Sequence, residues 1–181
     1  MQTFDVDENG WATGAITPLA IDESITLLSP EASSRVDAAR WAHQAETFFR
    51  ARLTVVQDKR YPTGAHPLAD QVEIAISQSG AAPTRVRLIT VPVDRAPFAV
   101  AAGAAAARAI GGAGFDVLVT RAKRIWQAHA TVEAGGDPRA PLAAAAVLAS
   151  LLLAPVIPRG GGAIFGVKGA RQRLESDGWK T

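Results

Sequence analysis

Apolar and polar positions alternate over the first thirty residues in a way that predicts short strands. Thr3–Val6 and Trp11–Ile16 flank Asn9-Gly10, a dipeptide typical of tight β-hairpin turns. Ser24–Leu28 is a third run in which β-branched and apolar residues predominate. The chain is therefore expected to begin with a small β segment, residues 1–29.

After residue 31 the spacing of apolar residues changes from the period of a strand to that of a helix. Ser29-Pro30-Glu31 is a helix start signal, because it supplies a cap, a first-turn proline and a first-turn acid. Tyr61-Pro62 ends the pattern. Apolar side chains recur every three or four positions in between: Ala38, Trp41, Ala42, Ala45, Phe48, Phe49, Leu53 and Val56. This spacing predicts one long amphipathic helix over about residues 30–56.

Val72–Ser77 and Val86–Val93 are β-like runs joined by a connection too short for a parallel return, so they predict an antiparallel hairpin at about 72–93. The remaining patterns predict alternating helices and strands, namely an Ala-rich helix 94–110, a strand Phe115–Thr120, a helix Arg121–Glu133, a very apolar helix Pro138–Ala154, a strand Ala163–Val167 and helical turns over Ala170–Asp177.

This order of elements predicts an α+β, or mixed α/β, fold. We expect a two-layer sandwich with a mixed sheet, built as a single globular domain over residues 1–181, since no linker or internal repeat interrupts the chain.

Composition narrows the classes of protein and site. The absence of cysteine excludes disulfide scaffolds, thiolate metal sites and thiol nucleophiles. The longest apolar stretch, Pro141–Ile157, is shorter than a bilayer span and is interrupted by Ser150 and Pro155, so no membrane partner is expected. A chain without cysteine suits a reducing compartment, and we expect a cytoplasmic protein.

Charge is unevenly distributed, although the net charge is only +2. Residues 1–31 hold six acids and no Lys or Arg, so the rest of the chain carries +8. The acidic segment is expected either to pack on or near its own basic body or to meet a basic surface of a neighbouring subunit. Most of the positive charge is arginine, whose planar fork suits carboxylate and phosphate partners.

The first candidate site is the loop 58–70, between the long helix and the hairpin. His66 could act as a general base or acid oriented by Asp58 or Asp70, and Tyr61 offers a hydroxyl. The same loop adds two cationic candidates for ligand binding, Lys59 and Arg60. An ordered connector stiffened by prolines explains the same residues without any chemistry.

The second candidate site is a glycine-rich turn followed by basic residues, within 158–173. Consecutive glycines bare backbone N–H groups that can hold an anion. The candidate ligand-binding residues are Arg159, Gly160, Gly161, Gly162, Lys168 and Arg171. The glycine and lysine spacing departs from that of a phosphate-binding P-loop, and a turn that simply leads into a strand is the alternative.

Two function classes follow. The first is a binding domain, or small enzyme, for an anionic small molecule that uses both basic loops. The alternative is a non-catalytic homo- or hetero-oligomeric assembly subunit, and a homo-oligomer is expected. Trp179, close to the C-terminal residue, fits docking either on a partner subunit or on its own domain. The residues identify no cofactor and no metal site, nucleic acid is not an expected partner, and they leave open whether the chain is an enzyme.

Overall fold

A computed structural model of the chain describes residues 16–60 and 70–181, and six strands in these ranges form one antiparallel sheet in the order β2-β3-β4-β5-β1-β6. The strands are β1 Ser24–Ser29, β2 Ala51–Arg60, β3 Asp70–Gln78, β4 Thr84–Pro92, β5 Arg124–His129 and β6 Val156–Ile157. The helices are α1 Ala38–Phe49, α2 Pro97–Ala109, α3 Phe115–Arg121, α4 Ala140–Leu152 and α5 Val167–Ser176.

The central strands carry apolar side chains on both faces of the sheet. Successive side chains of a strand point to opposite faces, so consecutive apolar residues enter two different cores. Leu27 lies in one core and Leu28 in the other. Leu88 and Ile89 of β4 divide in the same way. Helices are therefore needed on both sides of this part of the sheet.

The larger core lies under α1, α4 and α5. Helix α4 is buried nearly all round, which matches its run of alanines and leucines. Trp41 of α1 meets Trp126 of β5 edge to face, with ring centroids 5.8 Å apart. The capping carboxylate of Asp37 accepts a hydrogen bond from the backbone N–H of Arg40 at 3.0 Å and begins α1.

The smaller core lies under α2 and α3, which pack against β1. A Cβ at Gly103 of α2 would lie 2.7 Å from the Leu28 side chain, so glycine permits the close approach of helix to strand. This layer does not extend over the far half of the sheet. The residues of β2, β3 and the first half of β4 that point away from α1 form the open face, namely Arg52, Thr54, Gln57, Gln71, Glu73, Ala75, Ser77, Arg85 and Arg87.

The α+β sandwich and the antiparallel hairpin at 72–93 are confirmed, the latter as β3 and β4. The expected mixed sheet is wrong in its pairing, since every paired strand in the described ranges is antiparallel. The expected two layers hold only at the β2–β3 end, because α2 and α3 add a helical layer on the other face.

The long helix is correct in kind and wrong in extent. It spans Ala38–Phe49 rather than about 30–56, and Arg50 then takes a left-handed backbone conformation, φ 46°, before the chain continues as β2. Leu53 fits the helical period and the strand period equally well, and on β2 its side chain is buried.

Three later expectations are also wrong. Phe115–Thr120 is helical, because Gly114 turns the chain and the run packs one side, Val119, into the smaller core. The expected helix Arg121–Glu133 contains the strand β5, whose Ile125 and Trp126 enter opposite cores. The expected strand 163–167 is reduced to a single bridge between Phe165 and Val156. The predicted hairpin of residues 3–16 lies outside the described residues except for Ile16.

Candidate functional site

Only part of the loop 58–70 falls within the described residues. Asp58 is exposed on β2, and the backbones of Lys59 and Arg60 continue that strand opposite Gln71 and Asp70. Tyr61 and His66 lie outside the described residues, so their proposed roles stay predictions.

Asp70 is the first residue of β3 and is buried on the α1 side of the sheet. It faces the buried guanidinium of Arg124 across β4, with 3.8 Å between Oδ2 and Nη1. Arg124 also donates from Nε to the carbonyl of Ala32 at 2.8 Å and from Nη1 to Thr90 Oγ1 at 3.3 Å. The carboxylate is thus one member of a network that ties three strands to the segment preceding α1.

Beside this network, the indole Nε1 of Trp126 is buried and has no hydrogen-bond partner among the described residues. The edge-to-face contact with Trp41 gives the ring an aromatic neighbour, and an aromatic face is a weak acceptor for N–H groups. This buried end of the sheet is therefore held by an ion pair and by aromatic packing.

The glycine-rich turn at 158–162 lies near the opposite edge of the sheet, next to β6. Two of its amides are used within the chain, since Gly160 N–H donates to the carbonyl of Ile21 at 2.9 Å and Gly161 N–H donates to that of Pro158 at 3.0 Å. Arg159 Nε donates to the carbonyl of Asp22 at 2.7 Å. These contacts attach the glycine-rich turn to residues 21 and 22, which precede β1. Gly162 is exposed and has a left-handed φ of 76°.

Lys168 and Arg171 lie on α5 and are exposed. Arg171 donates from Nε to Glu175 at 3.2 Å and to the Thr181 hydroxyl at 3.0 Å. The hydrogen bond from Thr181, and after it the one from Arg171, hold the pKa of Glu175 below its usual range. Strands β4, β5 and β1 separate Asp70 from β6, so the described end of the first loop does not lie beside the glycine-rich turn.

A different concave site occupies the end of the sheet where α1 turns into β2. This edge groove has a volume of about 790 Å³ and is lined by Ala42, Glu46, Arg50, Ala51, Arg52, Leu53, Ser77, Gln78, Ser79, Gly80 and Ala81. Arg50 and Arg52 are both exposed and flank the buried Ala51. Arg52 is paired in register with Ser77 of β3.

The local sequence explains why both arginines line the groove. The left-handed turn at Arg50 ends α1, and its backbone N–H still reaches the carbonyl of Ala45. The strand then alternates, so Ala51 points into the larger core while Arg52 points to the open face. The sequence signal was the polar–apolar alternation Arg50-Ala51-Arg52-Leu53, which a helix extended to residue 56 conceals.

A local ion pair lies next to the groove, since Arg139 Nη2 donates to Oε1 of the groove residue Gln78 at 3.5 Å. Asp137 accepts hydrogen bonds from Arg139 Nε at 2.9 Å and Nη2 at 2.7 Å. The side-chain hydrogen bonds from Arg139 hold the pKa of Asp137 below its usual range, against the opposing effect of partial burial. The Arg139 guanidinium also lies over the Trp179 ring, 5.3 Å from its centroid.

Within 16–60 and 70–181, no three His, Asp or Glu side chains cluster so that they could hold a metal ion. None of the helices in these ranges is long and apolar enough to cross a membrane. Comparison of the chain with protein-family models, with curated proteins and with solved structures gave no match.

Proposed function

We propose that this chain is a non-catalytic binding protein for an anionic small molecule, a carboxylate or a phosphate ester, which binds in the edge groove. The observation that carries the proposal is the pair of exposed arginines, Arg50 and Arg52, in a concavity of about 790 Å³. That volume falls within the range of small-molecule sites, roughly 300–1,000 Å³.

The chemistry of the lining fits an anion. Each guanidinium offers a planar fork that donates two parallel hydrogen bonds to a carboxylate or phosphate. Ser77 and Ser79 add hydroxyl groups at the β3 side of the groove, and Glu46 adds one negative charge at the α1 side. The charged lining therefore carries one excess positive charge, which suits a small ligand with one or two negative charges.

A binding role fits this lining better than proton transfer. The described lining offers guanidinium, hydroxyl, amide and carboxylate groups but no imidazole. Imidazole is the group that most often transfers protons in enzymes, whereas guanidinium groups stay protonated, so this set of side chains is better suited to holding an anion.

Thermal shift and calorimetry with inorganic phosphate, citrate and a nucleoside monophosphate test the proposal. We expect one of these probes to stabilise the protein, and Arg50→Gln with Arg52→Gln to weaken its binding by about tenfold or more, because each charged hydrogen bond contributes roughly 1.5–3 kcal/mol. Arg40→Gln, an exposed arginine of α1 outside the groove lining, is the matched control and should leave binding unchanged.

The same titration separates the groove from the two loops. Loss of binding in His66→Ala, or in Arg159→Gln with Lys168→Gln, but not in the groove variant, would move the anion site to that loop. If no probe binds, or if the groove variant binds like the wild type, the proposal for the edge groove is wrong.

A second candidate function is assembly of copies of this chain through the edge of the sheet. Among the described strands, the ten residues of β2 pair only with β3, so no described strand pairs with the other row of backbone N–H and C=O groups of β2. Val56 lies at the register shift on this strand and is 45% exposed. Such an edge is a common site of strand addition.

Light scattering behind gel filtration tests assembly. We expect a dimer whose dissociation is promoted by Val56→Lys, since a charge on an edge strand opposes strand addition. Val117→Lys is the control, because Val117 is 46% exposed but lies on α3. A monomer at micromolar concentration, or equal effects of the two substitutions, would contradict assembly through β2.

A further inference from the structure

The open face of the sheet carries more positive than negative charge. It includes Arg52, Arg85 and Arg87 but one acid, Glu73, among the described side chains that define it. Glu73 accepts from Arg85 at 3.0 Å, and the three arginines and one glutamate together give these side chains a formal charge of +2. Ala75 and Thr54 lie between the charged rows and offer a flat surface of small side chains.

The described chain approaches this face from the opposite edge of the sheet, at β6. The carbonyl of Ile21 accepts from Gly160 beside β6, and the carbonyl of Ala20 accepts from the Ser24 hydroxyl at the start of β1. Leu19 makes two backbone hydrogen bonds, of 2.8 and 2.7 Å, with the side chain of Gln127 on β5. Towards the N-terminal end, the chain thus crosses β6, β1 and β5 in sheet order.

The next strand in that direction is β4. Three residues of extended chain cover roughly 10 Å, which is about two strand spacings. Ile16 is buried in the same core as Ile89 and Val91 of β4, which agrees with this path. The described chain therefore ends, at Ile16, beside β4, which borders the open face.

Residues 1–15 have the chemistry to cover that face. They include three acids, Asp5, Asp7 and Glu8, and no Lys or Arg. They also include Phe4, Val6 and Trp11, which can cover Ala75 and the aliphatic stems of the arginines. Fifteen residues reach far beyond the two strands that separate β4 from the sheet edge.

We propose that residues 1–15 of the same chain dock on the open face, with their acids among Arg52, Arg85 and Arg87. The segment is then a cover for the sheet half that no described helix packs on. The proposal shares Arg52 with the edge groove, but Arg85 and Arg87 lie outside the groove lining, so labelling at position 75 reports docking separately from ligand binding.

Cysteine labelling in the full chain tests this docking directly, because the wild type contains no cysteine. Ala75→Cys places a single thiol on the open face, and Thr47→Cys places a control thiol on the exposed side of α1. We expect Ala75→Cys to label more slowly than in a background with Asp5→Asn, Asp7→Asn and Glu8→Gln. Three exposed charge pairs predict a change of roughly tenfold in labelling rate. The Thr47→Cys rate should not change.

A charge exchange separates docking from a general loss of structure. Replacing the three acids by lysine should raise the labelling rate at position 75, and adding Arg85→Glu with Arg87→Glu should lower it again. Equal labelling rates with intact and neutralised acids would overturn the proposal. Protection that grows with protein concentration would also overturn it, because the cover would then come from a second copy.

Discussion

The indole N–H of Trp179 donates a hydrogen bond of 2.9 Å to the backbone carbonyl of Phe49, the last residue of α1. This contact fastens the C-terminal residues to the point where α1 turns into β2, directly before Arg50 of the edge groove. Trp179 is only 2% exposed, so it packs on its own domain.

Trp179→Phe should lower the free energy of unfolding more than the same substitution at Trp126. Both rings are buried in the larger core, but the Trp126 N–H has no hydrogen-bond partner among the described residues. Loss of the Trp179 bond leaves the Phe49 carbonyl without its donor, which costs about 1–2 kcal/mol. Urea unfolding measures both variants. Equal costs would mean that the hydrogen bond contributes nothing beyond ring volume.

Arg50→Gly should raise the free energy of unfolding slightly and weaken binding of the proposed anionic ligand. Arg50 has φ 46°, a conformation that glycine adopts without strain. We expect a gain of about 0.5 kcal/mol in the free energy of unfolding, since the greater freedom of glycine in the unfolded chain offsets part of the relief. Leu153→Gly is the control, because Leu153 has φ 51° and lies outside the groove lining. The control should gain similar stability and bind normally.

The sequence predicts correctly those elements whose pattern of apolar residues fits either a helix or a strand but not both. The hairpin β3–β4 follows from alternation, and α4 follows from length and apolar content. The sequence pattern predicts the wrong class for Phe115–Thr120 and for Arg121–Glu133, because a short apolar run fits a strand and a helix equally well. Their class depends on tertiary partners, since β5 is a strand by virtue of pairing with both β1 and β4.

The candidate site was harder to predict than the fold. The charged residues of loops 58–70 and 158–173 make them candidate sites. The position of each loop depends on the strand order, which the sequence pattern does not reveal. Arg52 lies beside Ser77 only because β2 and β3 pair in this register. The edge groove, which is lined by residues 42, 46, 50–53 and 77–81, has no motif that the sequence alone would show.

The Asp137–Arg139 pair should make stability depend on pH in the acidic range. The folded-state pKa of Asp137 is lowered, so its contribution is fully present above the unfolded-state pKa, near 4, and is lost as pH falls through the folded-state pKa. Asp137→Asn should therefore cost about 1 kcal/mol at pH 7 and less at pH 3. Urea unfolding across this range measures the difference.

Arg139→Gln provides the matching arm of that experiment. It removes the main cause of the lowered pKa, so the same acid-dependent part of stability should disappear. In the double variant, the effect of Asp137→Asn should be nearly independent of pH. A cost of Asp137→Asn that stays constant from pH 7 to pH 3 would contradict the assignment.

Gln127→Leu should release the chain before β1 from the sheet. The fully buried Gln127 amide accepts from Leu19 N–H, donates to the Leu19 carbonyl and contacts the hydroxyls of Ser24 and Thr26 at 3.2 and 3.3 Å. Leucine keeps most of the volume but leaves both backbone groups of Leu19 unpaired, at a cost of about 2–4 kcal/mol. Hydrogen exchange at the Leu19 amide should accelerate.

Gln44→Leu gives the comparison for this substitution, because the Gln44 side-chain amide donates to another side chain, Ser150 Oγ, at 2.9 Å. Its cost should stay below about 1 kcal/mol. If residues 1–15 dock on the open face, Gln127→Leu should also speed labelling of Ala75→Cys, since the path from β6 to β4 is loosened at its middle. Faster exchange at Leu19 without faster labelling at position 75 would show that the segment holds the open face without help from this anchor.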